Sequence, residues 1–128
     1  MSKLLCSCGD VIVDQTDDLP YKAGLVPDSD AGDFLEAVAV GAAGLADSVA
    51  NGTLEQWVST AFGSGYPREL GVADVFSDFV TGKALKITRD VYQCETCGRL
   101  YVEKAPGTGT FFRFSPDDGT PNTVFRKQ

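Results

Sequence analysis

Apolar residues recur through the middle of the chain at helical spacing and near both ends at strand spacing. Phe34, Leu35, Val38, Ala42, Leu45, Ala46 and Val49 lie one, three and four residues apart, which predicts a helix over 31–50 with one apolar face. Asp28, Ser29 and Asp30 precede it as candidate N-caps, and Asn51-Gly52 closes it. Thr53 can cap a second helix that buries Leu54, Trp57, Val58, Ala61 and Phe62 and stops at the Gly63-Ser64-Gly65-Tyr66-Pro67 run. A shorter third helix is expected over 72–80, with Val72, Val75, Phe76, Phe79 and Val80 on one side. Gly41 and Gly44 sit inside the first helix, where each costs about 1 kcal/mol relative to alanine. Close packing against another helix is preferred to a hinge as their explanation.

After Gly82 the period shortens. Leu85, Ile87 and Val91 alternate with polar residues up to Cys94, so a hairpin is expected over 85–103. Residues 111–114, after the glycine-rich turn at 106–109, predict a further strand, and 123–126 a last one. Near the start, Val11 and Val13 alternate with Ile12 just as Leu100 and Val102 alternate with Tyr101. The stretch 14–27, acidic and interrupted by two prolines and a glycine, reads as irregular.

The two strand patterns at Val11 and Leu100 each follow a pair of cysteines. Cys6-Ser7-Cys8-Gly9 and Cys94-Glu95-Thr96-Cys97-Gly98 are copies of one unit: Cys, a spacer of one or two residues, Cys, Gly, three variable positions, then an apolar residue and a carboxylate, Val13-Asp14 or Val102-Glu103. A tight turn of this kind points two thiolates at one ion, and the glycine can take the positive φ that turns backbone amides toward the sulfurs. All four cysteines of the chain lie in these turns and histidine is absent. A closed four-thiolate tetrahedron suits one structural Zn2+, with no open position for water or substrate. Iron fits the same ligands.

Two disulfides are the alternative. The opening Met-Ser-Lys-Leu-Leu lacks the apolar core of a secretory leader and no stretch approaches the roughly 20 apolar residues of a membrane span. The expected compartment is therefore a reducing cytoplasm, where paired cysteines serve metals more than bridges. A thioredoxin-type role for Cys94 and Cys97 requires the pair to open a helix, whereas a strand pattern follows them.

These residues resemble the zinc-ribbon superfamily, in which two knuckles of the form C-x-x-C-G, on hairpin turns, share one metal. Cys94, Cys97 and Gly98 match a knuckle fully, and Cys6, Cys8 and Gly9 match with one spacer residue fewer. The resemblance covers the two ends and implies a fold for the metal site. It implies little about activity, since zinc ribbons serve in transcription, translation, enzymes and scaffolds alike.

Eighty-five residues separate Cys8 from Cys94, far more than a ribbon needs. The expected architecture is α+β: a small antiparallel zinc-ribbon sheet built from both chain ends, residues 3–14 and 85–115, with a two- to three-helix insertion over 30–81, all in one domain of 128 residues.

Eighteen acidic against eleven basic residues give a net charge of −7. Such a chain repels nucleic acid and anionic membranes as a whole and favours a basic protein partner. Lys83, Lys86, Arg89 and Arg99 flank the second knuckle and are read as a solvated face rather than a nucleic-acid patch. Without histidine, and with every cysteine assigned, no catalytic set stands out, and the protein is read as non-enzymatic. Asp14, Asp17, Asp18, Asp28, Asp30 and Asp33 match no calcium loop and are read as surface charge and helix caps. In the 19–27 segment and its acidic neighbours, Asp17, Asp18, Tyr21 and Lys22 are the candidate partner-binding residues. The same segment can equally lid the core, with Tyr21 and Leu25 inward. The expected function is protein binding, in concrete form a bacterial immunity or inhibitor-type protein that neutralises a basic toxin or enzyme. The alternative is a zinc-ribbon protein associated with nucleic acid or the transcription machinery.

Overall fold

The β-branched and aromatic runs beside the cysteines form strands. In the computed structural model of the protein, which describes residues 2–67, 69–118 and 124–126, β1 (Ser2–Leu5) and β2 (Val11–Asp14) make an antiparallel hairpin. β3 (Lys22–Leu25), β4 (Arg89–Gln93), β5 (Leu100–Glu103) and β6 (Phe111–Phe114) make a four-stranded antiparallel sheet in that order. Three helices, α1 (Asp28–Asn51), α2 (Leu54–Phe62) and α3 (Val72–Leu85), lie between β3 and β4 in sequence. The fold is α+β, as expected. The chain divides into two compact units, Met1–Val26 with Thr88–Gln128, and Pro27–Ile87.

In the sheet unit, register decides which residues go inward. Tyr92 pairs with Tyr101 across β4 and β5, and directly opposed residues share a face. Both rings are buried, in one cluster with Ile12, Cys6 and Cys94, and Leu4, Tyr21, Cys97 and Phe111 pack around it. The inward positions of the knuckle strands are thus the middle residues, Ile12 and Tyr101, while Val11 is exposed. Cys6 and Cys94 belong to this core, Cys97 packs at its edge, and Cys8 is exposed.

The 14–27 stretch is not wholly irregular. Its end forms β3, an edge strand in register with β4 from Lys22↔Tyr92 to Leu25↔Arg89. Leu85 closes α3 instead of opening a strand, because residues 72–85 keep one helical repeat beyond the expected end at 80. Thr123 lies outside the described residues, and Val124–Arg126 are turn and bend, not strand.

In the helical unit, α1 begins at Asp28 after Pro27, so Asp28 and Asp30 lie in its first turn, where they favour the helix dipole, and are not caps. Thr53 occupies the N-cap of α2 without a side-chain capping bond. Gly52 ends α1 in the left-handed region. The buried side of α1 runs through Gly41, Leu45 and Ser48, with Phe34 and Val38 half-buried. Four residues of the expected face, Leu35, Ala42, Ala46 and Val49, are exposed instead, Leu35 at 66 %. The reason is the small residues. A Cβ on Gly41 would lie 2.3–3.1 Å from ring atoms of Phe79, and one on Gly44 3.0 Å from Trp57 Nε1, so the neighbouring helices pack on the glycine side. Trp57 and Phe79 meet there with ring centroids 5.5 Å apart. The packing explanation for both glycines holds. Ala61, expected inside α2, is exposed. Among the described residues no helix is long and apolar enough to cross a membrane.

Candidate metal centre

Each knuckle is a turn tied by its own backbone. In the first, Cys6 N–H donates to Asp10 O (2.8 Å) and Gly9 N–H to Cys6 O (2.9 Å). In the second, Cys94 N–H donates to Arg99 O (2.9 Å) and Gly98 N–H to Cys94 O (2.8 Å). Gly9 and Gly98 have φ of 100° and 81°, the positive values that only glycine adopts freely. Backbone amides of these turns act on the sulfurs: that of Cys8 draws the Cys6 thiol's pKa down, that of Asp10 the Cys8 thiol's, and those of Cys97 and Thr96 the Cys94 thiol's.

The hairpin β1–β2 brings the first knuckle onto the second. Cys6, Cys8, Cys94 and Cys97 place their four Sγ atoms within 4.8 Å of one another, with Cys6 to Cys97 at 3.5 Å and Cys8 to Cys94 at 3.7 Å. Tetrahedral Zn–S bonds of about 2.3 Å set the sulfurs about 3.8 Å apart, so the donor set fits one such ion with small adjustment. The four cysteines lie close enough to hold a metal ion, and among the described residues no other group of three or more His, Cys, Asp or Glu does so.

The sulfurs are not equivalent. Cys94 and Cys6 are 0 % and 1 % exposed, Cys97 is half-buried and Cys8 exposed. Burial pushes the Cys6 thiol up, but the Cys8 N–H, the Tyr101 hydroxyl and the Cys97 sulfur outweigh it and bring the pKa from 9.0 down to about 6. Burial carries Cys94 up to about 12 against the N–H groups of Cys97 and Thr96. At Cys8 the Asp10 N–H lowers the pKa, while burial and the Cys6 sulfur raise it further. A coordinated cation deprotonates such thiols outright.

Four residues that sequence reasoning did not assign to the centre surround it. Arg99 Nη1 lies 3.2 Å from Cys97 Sγ, so a residue read as solvated surface sets its charge against the sulfurs. Thr96 Oγ1 donates to Asp10 Oδ2 at 2.7 Å, joining the two knuckles by their spacer and flank. Tyr101 Oη accepts the N–H of Ser7 at 3.0 Å. Their nearness to the cysteines in sequence was the available signal. Which way each pointed depended on the docking of two turns from opposite ends.

The candidate partner-binding residues separate into two kinds. Asp17 and Asp18 are exposed, Asp18 with a φ of 59°. Tyr21 packs on the core and donates its hydroxyl to Val13 O, and Lys22 pairs with Asp14 at 2.5 Å while lying 5.5 Å from the Tyr92 ring centroid. Leu25 is exposed, so Tyr21 alone lids the core. Asp14 also accepts the Tyr92 hydroxyl, and Lys22 and then Tyr92 hold its carboxyl below the usual range. Asp14, Asp90 and Glu103 line a cleft of about 280 Å³ with Tyr92 and Phe111. Two of these three carboxylates, Asp14 and Glu103, are engaged in holding the fold.

A sequence model of the family described as "Domain of unknown function (DUF8617)" matches residues 2–118. No curated protein and no solved structure matches the chain.

Proposed function

The chain belongs to the DUF8617 family, and we propose that its four cysteines bind one structural Zn2+ in the manner of a zinc ribbon, as the staple of a non-enzymatic protein-binding module. The observation that carries the metal reading is the convergence of two knuckles, distant in sequence, on a single sulfur cluster anchored in the core by Cys6 and Cys94. The zinc-ribbon likeness rests on the knuckles themselves. Zinc is preferred to iron, which the same four thiolates also fit, because the Cys-x-x-Cys-Gly knuckle has the ligand spacing of structural zinc sites and its Cys-x-Cys-Gly counterpart departs from it by one residue. Such an ion supplies folding energy and no reactive position.

Support for protein binding comes from surface chemistry. The chain carries −7, α1 has five acidic residues and no basic one, and Leu35, Val40 and Val49 stand exposed on it. A partner with basic surface and an apolar contact meets both properties, and an immunity or inhibitor-type protein is the concrete form of that role. The nucleic-acid reading gains nothing from the cations near the second knuckle. Arg99 faces Cys97, and Arg89 Nε donates to Lys104 O at 3.5 Å.

The test is a native mass spectrum of the protein purified from its host without chelator, together with elemental analysis and the visible spectrum of the Co2+-substituted form. One zinc per chain, tetrahedral thiolate bands with cobalt and a stoichiometric basic protein are expected. Bound iron, or four reduced cysteines that stay metal-free and give no thiolate bands with added cobalt, would overturn the zinc reading, and a protein that purifies only with nucleic acid would overturn the partner class.

A further inference from the structure

We propose that Cys8 is the oxidation site of the sulfur cluster, the corner at which a hydroperoxide reacts, with Cys94 as the resolving thiol, so that cystine bridges between the knuckles can replace the metal staple. The inference extends the zinc reading above and concerns the chemistry of the same four residues.

Four like thiolates are offered to solvent very unequally. A hydroperoxide must approach a sulfur lone pair in line with its O–O bond, which needs open space in front of that sulfur. Cys6 and Cys94 are closed off in the core. Cys97 is half-buried, and the Arg99 guanidinium, with Nη1 at 3.2 Å, occupies its side and engages the sulfur. Cys8 alone is exposed; a coordinated cation holds all four sulfurs as thiolates, so access decides which of them a hydroperoxide reaches first.

The second half of the site is the neighbour. Cys94 Sγ lies 3.7 Å from Cys8 Sγ, within reach of a sulfur–sulfur bond of about 2 Å after a side-chain adjustment. In the first step the Cys8 thiolate attacks one oxygen of the hydroperoxide. An S–O bond forms, the O–O bond breaks, sulfur loses two electrons to oxygen, and hydroxide or alkoxide departs, leaving Cys8–SOH. In the second step the Cys94 thiolate attacks the Cys8 sulfur, the S–S bond forms, the S–O bond breaks and hydroxide leaves. One hydroperoxide is consumed per bridge. A second equivalent joins Cys6 to Cys97, whose sulfurs are 3.5 Å apart. Both bridges run from the β1–β2 turn to the β4–β5 turn, the same two turns that the ion joins. Oxidation therefore discharges the metal while the tie between the turns persists.

The full chain is assayed after its metal content is measured. It is treated with hydrogen peroxide below one equivalent in the presence of a sulfenic-acid trap and a chromogenic zinc chelator, and parallel samples are alkylated and mapped by peptide mass spectrometry. Cys8 should be trapped about tenfold faster than any other cysteine, in line with its access. The first bridge without the trap should be Cys8–Cys94, and zinc release should follow it in equal amount. Arg99→Gln, which keeps all four ligands, should raise trapping at Cys97 and narrow the preference for Cys8. Equal trapping of the four, first trapping at Cys97, or a first bridge between Cys94 and Cys97 would overturn the assignment. A chain that carries no metal would overturn the zinc reading alone, because the order of oxidation on four free thiols still decides the role of Cys8.

Discussion

Glu103 is a carboxylate almost wholly inside the protein, at 5 % exposure, and it organises the turn after β5. It accepts the N–H groups of Asp90 (3.0 Å) and Gly109 (2.9 Å), with those of Gly107 and Thr108 also turned toward it. Burial alone would raise its pKa, but these donors outweigh burial and hold it below the usual carboxylate range. Its folded value therefore lies below its unfolded value of about 4.3. The stability it contributes is complete above that pH and drains as pH falls through the folded value. Glu103→Gln should cost about 1–3 kcal/mol at neutral pH by leaving buried donors unpaired. Urea titrations at a series of pH values should show the gap from the native chain closing below about pH 4; a gap independent of pH would contradict this account.

Two further substitutions belong to the same scale. Cys97→Ser should lose the metal and at least about 4 kcal/mol of stability, as removal of a structural metal does, read by elemental analysis and thermal melting. Gly9→Ala meets no atom within 4 Å, yet φ is 100°, so any loss, about 1–2 kcal/mol, is purely conformational. At this scale the cysteines, their glycines and the 106–109 turn were legible in the sequence, because their chemistry is local. The contacts of Arg99 and Tyr101 were not, since those depend on what the other end of the chain brings.

Among elements, α1 carries the clearest lesson. Its existence was plain from periodicity, but its buried face was not, because alanine and glycine lie nearly all round it and mask the direction of the apolar side. The decisive signal was small size at Gly41 and Gly44, which lets aromatic rings of α3 and α2 approach. Gly41→Ala should therefore destabilise, by about 1–2 kcal/mol net of its better helix propensity, whereas Gly32→Ala, with open space around it, should stabilise by about 0.5–1 kcal/mol. Chemical denaturation of the two variants checks the opposite signs. β3 escaped sequence reading for another reason. Lys22-Ala23-Gly24-Leu25 has no β-branched or aromatic residue, and it is a strand because β4 offers it a partner.

For the whole molecule, all four candidate metal ligands belong to one unit. Residues Pro27–Ile87 contain no cysteine, so helical ellipticity is a poor reporter of the centre. Tyr21, Tyr92 and Tyr101 pack in the cluster that contains the sulfurs, and their near-ultraviolet dichroism is the sensitive one. Complete removal of metal by a strong chelator should abolish that signal and lower the unfolding temperature of the sheet unit. Both unchanged would exclude a structural role. Function was the least legible property, since a fold and a net charge are compatible with many roles.

The centre also sets a timetable. Cys94 stands 86 positions after Cys8, and at elongation rates of roughly 5–20 residues per second the ribosome takes about 4–17 s to deliver the second half of the ligand set. Throughout that interval the nascent chain presents two thiols with no counterpart, while Pro27–Ile87, a compact unit with no cysteine, is made in full. An ion that needs all four thiolates can therefore be captured only after the helical segment has been made, so the supply of metal would bear on this chain after its helices and not before.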